Sequence, residues 1–188
     1  MDYADKILKD IKSYKEFDEN DGRAKTKLID FIEKHPVNLF RQNDAGHLTA
    51  SAWIINQNRD QVLLHKHLAF DKWIQLGGHA EEYENLKSAA LREAEEESGL
   101  ASLSILDDKI FDIDLHKIPA SKKYASHYHY DIRYLLQADS SEKLQKSSES
   151  DKLQWIALDE VKNFASEESV LRMLRKTEEY FAKQKELI

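Results

Sequence analysis

Four glutamates crowd the seven-residue stretch Arg92-Glu93-Ala94-Glu95-Glu96-Glu97-Ser98. At helical spacing Glu93, Glu96 and Glu97 stand three and four residues apart and share one side. Like charges so placed destabilise a helix by roughly 0.2–0.5 kcal/mol per pair. If Gly99 ends that helix, the three acids also sit at the negative end of its macrodipole, which disfavours each anion by roughly 0.3–1 kcal/mol. Arg92 offsets part of this by pairing with Glu96, four residues on. A hard divalent cation would reverse the sign of the whole arrangement, and an all-oxygen ligand set suits Mg2+, with Mn2+ as the second choice. Alone, an acidic run reads as a solvated helix face.

A second group of residues able to do chemistry lies in SHYHYDIRYLL, residues 126–136. On a strand, His127, His129, Asp131 and Arg133 share one face, and Tyr128, Tyr130, Ile132 and Tyr134 share the other. The tyrosine face is the core-like one. The polar row is therefore expected to line a substrate cleft and to point toward the acidic helix. There His127, His129 and Asp131 would bind substrate together with His79. A neutral imidazole would donate a hydrogen bond to a phosphate or base, and a charged one would offset phosphate charge. The other reading of this row is a half-exposed edge-strand face. His47, Thr49, Ser51 and Trp53 form a similar alternating set. His65 and His67 read as surface residues.

These groups need elements to hold them. Apolar residues at helical spacing predict helices over 3–15 and 23–34, the second ending before His35-Pro36. Strands are predicted over 48–56 and 61–66, joined as a hairpin through Gln57-Asn58-Arg59-Asp60. A short strand over 73–76 runs into Gly77-Gly78. The acidic helix spans 85–98, with Asn85 as N-cap, Gly99 as left-handed C-cap, and Leu86, Ala89, Ala90 and Ala94 as its buried face. Strands over 109–118 and 127–138 follow, then a serine-rich polar loop over 139–151, a short strand over 153–157, and helices over 159–164 and 168–185. Strands around a central helix with a closing helix give an α/β class with a mixed sheet. Residues 1–45 are read as a helical N-terminal extension packed on a domain formed by 46–188.

The run from Gly78 to Leu100 resembles the Nudix box: Gly, five residues, Glu, seven residues, then Arg-Glu-aliphatic-any-Glu-Glu-any-Gly-aliphatic. Gly78, Glu84, Arg92, Glu93, Glu96, Glu97 and Gly99 fill the seven fixed positions, and Ala94 and Leu100 fill the aliphatic ones. At ordinary residue frequencies, seven fixed residues recur by chance in on the order of one window in 10⁷–10⁸. The resemblance is close over the box. It extends loosely over 46–188 through strand order, the segment LQWIALDEV and the closing helix.

Membership in this family implies an α/β/α sandwich and hydrolysis of a diphosphate linkage in a nucleoside diphosphate derivative or related small molecule. It implies that Glu93, Glu96, Glu97 and the carbonyl of Gly77 hold the metal, and that Glu84 and Arg92 brace the helix. A general base in this family comes from a box glutamate or from a loop before the late tryptophan. Glu149, six residues before Trp155, is the candidate here. The catalytic group is then Arg92, Glu93, Glu96, Glu97 and Glu149. Two other functions share the fold. Isopentenyl diphosphate isomerases of this type rely on a cysteine, and this chain has none. Catalytically inactive binding modules usually lose box carboxylates, and here all are kept. A proline or tyrosine about sixteen residues past the box marks some substrate classes, and His116 stands there.

Bulk composition narrows the partners. The 188 residues are 41% hydrophobic and 34% charged, with five glycines, two prolines and no cysteine. This suits one ordinary globular domain and excludes disulfides and thiolate metal sites. The cysteine-free composition fits a cytoplasmic setting. The net charge of −7 disfavours a nucleic acid polymer. No apolar run reaches the length of a membrane span, and the charged N-terminus does not read as a signal peptide. The frequent dimers of the family make a homodimer through the N-terminal helices a further expectation.

Overall fold

The computed structural model describes residues 2–40, 43, 45–82, 84–120 and 125–186. Helix α1 (Tyr3–Ser13) is capped by Asp2, and helix α2 (Glu19–Lys34) by Asp18. The start of α2 lies four residues ahead of the apolar pattern. Asp18 accepts from Asn20 and Asp21 backbone N–H groups while the Asp21 carboxylate accepts from Asp18 N–H, a capping box built from polar residues that hydrophobic periodicity does not register.

Strands β1 (Gly46–Asn56) and β2 (Gln61–His67) form the expected hairpin, with Ile54 opposite Leu63 and Ile55 opposite Val62. The strand expected over 73–76 is two strands, β3 (Lys72–Ile74) and β4 (Leu76–His79), separated at Gln75. Helix α3 (Leu86–Ser98) starts at its Asn85 cap and ends at Gly99 with φ 69°. Strands β5 (Ser104–Ile118), β6 (His127–Ala138) and β7 (Ser150–Ala157) follow, then a 3-10 turn, helix α4 (Val161–Phe164) and helix α5 (Glu168–Glu186).

The sheet runs in the order β3-β2-β1-β6-β5, with β4 also paired to β1 and β7 to β2. Strands β1 and β6 are parallel from Gly46 and Tyr128 to Asn56 and Ala138, and the remaining pairs are antiparallel, so the sheet is mixed. The chain leaves β2 after β3, turns at Gln75 and joins β1 as β4, with Thr49 opposite His79 and Ser51 opposite Gly77.

Strand alternation sends the two faces of this sheet into two separate cores. Leu48, Ala50, Ala52, Tyr130, Ile132 and Tyr134 pack on one side with Ala89, Ala90 and Ala94 of α3 and with Ile11, Leu28 and Phe31 of the N-terminal helices. Trp53, Ile55, Val62 and Leu135 pack on the other with Val170, Met173 and Leu174 of α5. The small side chains of α3 let it lie directly on β1, β4 and β6.

This division corrects one expectation. His127, His129, Asp131 and Arg133 do share a face, but it is the face away from α3. Tyr130 and Tyr134, not the polar row, lie on the face that α3 and the N-terminal helices cover. A sheet covered on both faces has two interiors, and the row faces the second. Tyr130 stacks on Phe31 with ring centroids 4.3 Å apart, which joins α2 to β6. Tyr130→Ala is expected to lower unfolding stability by about 3–5 kcal/mol, measured by denaturant titration, and His127→Ala by far less.

Candidate active site

The acidic helix meets β4 where the strand has no side chains. A Cβ placed on Gly78 would lie 2.5 Å from Glu93 Oε2, so only glycine lets that carboxylate reach the strand. The N–H of the adjacent Gly77, at φ 152°, donates to Glu97 Oε2 at 2.8 Å. Helix and strand are thus joined by a carboxylate that also belongs to the acidic cluster.

Glu97 is 6% exposed. Burial, then Glu149, Glu93 and Glu96, push its carboxyl up to about 7. Burial also raises Glu93, against the pull of Arg92. Glu96 lies at the rim, its side chain 61% exposed. Arg92 holds the cluster from the side. Its guanidinium donates to both oxygens of Glu84 at 3.1 and 3.0 Å, to Glu93 at 2.8 Å and to the carbonyl of His79 at 3.1 Å, and lies 3.5 Å from Glu96. Those hydrogen bonds hold the Glu84 carboxyl below its usual range. One cation therefore ties the helix, the preceding loop and strand β4 together.

Glu149 comes from the end of the polar loop, beside the cluster. Its carbonyl accepts from Leu68 N–H at 2.9 Å, its carboxylate is 3.7 Å from His67 Nε2, and its charge is felt by both Glu93 and Glu97. Strand β7 begins at Ser150, one residue later, inside the span 139–151 expected to be loop.

Two residues read as surface histidines belong here. His65 is buried, its Nδ1 2.7 Å from Ser150 Oγ and 3.9 Å from Glu97 Oε1, and burial pushes its pKa down to about 4. His67 is half-buried beside Glu149. The signal was present in QVLLHKH: His65 and His67 alternate with Leu63, which places them on the face that packs toward α3.

Of the substrate-binding set, Asp131 is committed internally. It accepts hydrogen bonds from Thr49 at 3.0 Å, Ser51 at 2.8 Å, Gln75 at 3.3 Å and Arg133 at 2.7 Å, and is buried. Arg133 and the other charges beside it hold its carboxyl below the usual range against burial. His79, His127 and His129 instead gather with His47 on the α5 face. Their ring centroids lie 4.6–5.2 Å apart where they touch. Burial, then His79 and His127, push His129 down to about 3.

The chain matches the NUDIX domain over residues 46–176. The chain belongs to the NUDIX domain family. With its box intact it is an enzyme, a Nudix pyrophosphohydrolase. An Ap4A hydrolase from C. elegans shares the fold at a TM-score of 0.59 and 20% identity, over 72% of this chain and 98% of that one. A NUDIX-family hydrolase from Clostridium perfringens is 28% identical, with a TM-score of 0.53 over 72% and 97% of the two chains. A MutT protein from Methanosarcina mazei is 16% identical, with a TM-score of 0.54 over 74% and 98%. No curated protein matches the sequence. No helix among the described residues is long and apolar enough to cross a membrane.

Two measurements test this Nudix site without substrate. Arg92→Ala should lower stability in metal-free buffer by about 1–2 kcal/mol, because Glu84, Glu93 and Glu96 lose their countercharge. An unchanged thermal midpoint would remove Arg92 as the brace. The second uses pH. Glu97 titrates at about 7 when folded against an ordinary 4.5, so the folded state is favoured below the lower value and loses stability as pH rises through the upper one. His65 and His129, depressed to about 4 and 3, work in the opposite direction up to the ordinary histidine value of 6.5. The readout is therefore a difference. In chelator, Glu97→Gln should gain on the wild type as pH rises from 5 to 8, and a constant gap would show that Glu97 ionises normally.

Proposed function

We propose that this Nudix enzyme hydrolyses a diphosphate linkage in a nucleoside diphosphate derivative or related small molecule, using Mg2+ or Mn2+ held by Glu93, Glu96, Glu97 and the Gly77 carbonyl. The observation that carries this reading is geometric: the buried Glu97 carboxylate accepts from the Gly77 N–H on β4 at 2.8 Å, while Arg92 holds Glu93 and Glu96 on the same side of α3. Such a group fits a cation: the donors are all oxygens, and a positive charge relieves both the burial penalty and the mutual repulsion. When bound, the cation would neutralise charge on the phosphates and acidify a water molecule.

The chain's own residues supply the rest. Glu149, exposed and attached to β2 through Leu68, is the group proposed to take the proton from the attacking water. His67 Nε2 lies 3.7 Å from the Glu149 carboxylate. Arg92 keeps Glu93 facing the strand and Glu84 folded back on the helix. The phosphates are placed on the α3 side of the sheet, so Asp131 and the imidazoles of His79, His127 and His129 have no part in holding them. The cytoplasmic setting expected from the cysteine-free composition belongs to this proposal. A homodimer belongs to it as well, formed through surfaces other than the apolar faces that α1 and α2 bury within their own chain.

The test is a screen of nucleoside triphosphates, nucleotide sugars, dinucleotides and prenyl diphosphates, with Mg2+ and with Mn2+. Cleavage between phosphates of a nucleotide supports the proposal. Double-bond migration in a prenyl diphosphate without phosphate release would favour the isomerase reading, and inactivity throughout would favour a binding module. With the best substrate, Glu96→Gln and Glu97→Gln should each lower turnover on the order of 10²-fold or more, beyond what loss of a group behind a metal ligand costs. Both variants should stay folded, and Mg2+ should raise the thermal midpoint of the wild type. Near-normal turnover in both would sink the assignment.

A further inference from the structure

The face turned away from the acidic helix carries a cluster that the proposed hydrolysis does not use. His47 on β1 lies opposite His129 on β6 in the parallel register, and His127 sits two residues before His129 on the same face. His79 on β4 completes the group, its ring centroid 4.8 Å from that of His47 and 5.2 Å from that of His129. One ring nitrogen from each of His47, His127 and His129 falls within 4.8 Å of the other two.

We infer that His47, His127 and His129 form a second metal site, selective for a borderline transition ion of the Zn2+ type, with His79 flanking it as a further imidazole.

Three observations support this. The first is distance. The Nε2 atoms of His127 and His129 are 3.3 Å apart. Two nitrogens that each lie about 2.0–2.1 Å from one tetrahedral cation stand about 3.3 Å from each other. The second is orientation. His127 Nδ1 lies 2.8 Å from the carbonyl of Ala125. That carbonyl can only accept, so Nδ1 is its donor, and in the neutral ring Nε2, 3.3 Å from His129 Nε2, is the nitrogen able to bind a cation. Anchoring the far ring nitrogen on a carbonyl is how metal-binding histidines are held. The third is ligand type. Imidazole favours Zn2+, Cu2+ or Ni2+ over Mg2+, whereas the carboxylates across the sheet have the opposite preference. The ligands come from two neighbouring strands, which gives them a rigid frame, and His127 and His129 are only half-buried, so an ion can reach them.

The same geometry also allows a plain imidazole-to-imidazole hydrogen bond, and the experiment must separate the two. Co2+ is titrated into the full-length chain in excess Mg2+ and followed by visible absorption. A tetrahedral nitrogen site gives intense d–d bands, whereas a six-coordinate oxygen site gives weak ones. Intense bands saturating at one equivalent, abolished by Zn2+ and insensitive to Mg2+, are expected. His127→Ala and His129→Ala should each weaken Co2+ binding by roughly tenfold or more, and Glu97→Gln should leave it unchanged. If His129→Ala fails to fold, the half-exposed His127 carries the test. Absence of intense bands, wild-type affinity in His127→Ala, or loss of the bands in Glu97→Gln would each overturn the inference.

Discussion

Much of this structure depends on one close approach, that of the acidic helix to a strand bare of side chains. Ala89, Ala90 and Ala94 are fully buried under α3, so the helix lies low on the sheet. Its carboxylates then arrive at β4, where Gly78 leaves room for Glu93 and the Gly77 N–H receives Glu97. A larger residue at any of these positions would lift the helix or turn a carboxylate away. The box is therefore a packing solution as much as a ligand set. Its acids can face one another because Arg92 bonds to Glu84, Glu93 and the His79 carbonyl at once. Arg92 thereby acts in two ways, supplying countercharge to Glu84, Glu93 and Glu96 and fixing where the acids point.

The opposite face has its own anchor. Asp112 on β5 is fully buried and accepts from Arg172 at 2.9 and 2.8 Å, from Arg133 at 3.2 Å and from Lys176 at 2.8 Å. Lys176 also reaches Tyr14 and Asp21, from α1 and α2. Since β5 is the edge strand, this network wraps its edge and joins helices from both faces of the sandwich. A buried ion cluster gains little over a well-packed apolar one, but it strongly penalises arrangements that separate its members. Here it fixes the register of β5, whose pairing with β6 shifts between Ile105 and Asp112, and it seats the N-terminal helices on the Nudix domain.

The sequence was most informative where spacing alone decides the outcome. Helix α3, its Asn85 and Gly99 caps, the β1–β2 hairpin and the limits of β6 followed from periodicity and turn chemistry. So did the shared face of His127, His129, Asp131 and Arg133. What spacing cannot say is which neighbour a face meets. Alternation put the polar row on one side of β6, but only the pairing of β6 with β1 and the seating of α3 on the tyrosine side show that it turns from the acids. Asp131 illustrates the same limit, since its partners Thr49, Ser51 and Gln75 lie more than fifty residues away in sequence. His65 was different. Its alternation with Leu63 already assigns it to the covered face of β2.

Strand β4 is where the two faces are tied together. Its successive residues point to opposite sides, so Gly78 meets Glu93 of α3 while His79 joins the imidazole group beside His47. The backbone between them serves both, because the His79 carbonyl accepts from Arg92 on the acidic side. A slip of one residue would exchange the two. An imidazole would then occupy the space of the Glu93 carboxylate, and a glycine would stand beside His47. Even a Cβ at position 78 would lie 2.5 Å from Glu93 Oε2, so a side chain there displaces that carboxylate from the cluster. The register of β4 against β1, with Thr49 opposite His79, is accordingly held from both faces. Acids that favour hard ions and imidazoles that favour borderline ones are kept apart by the thickness of one strand.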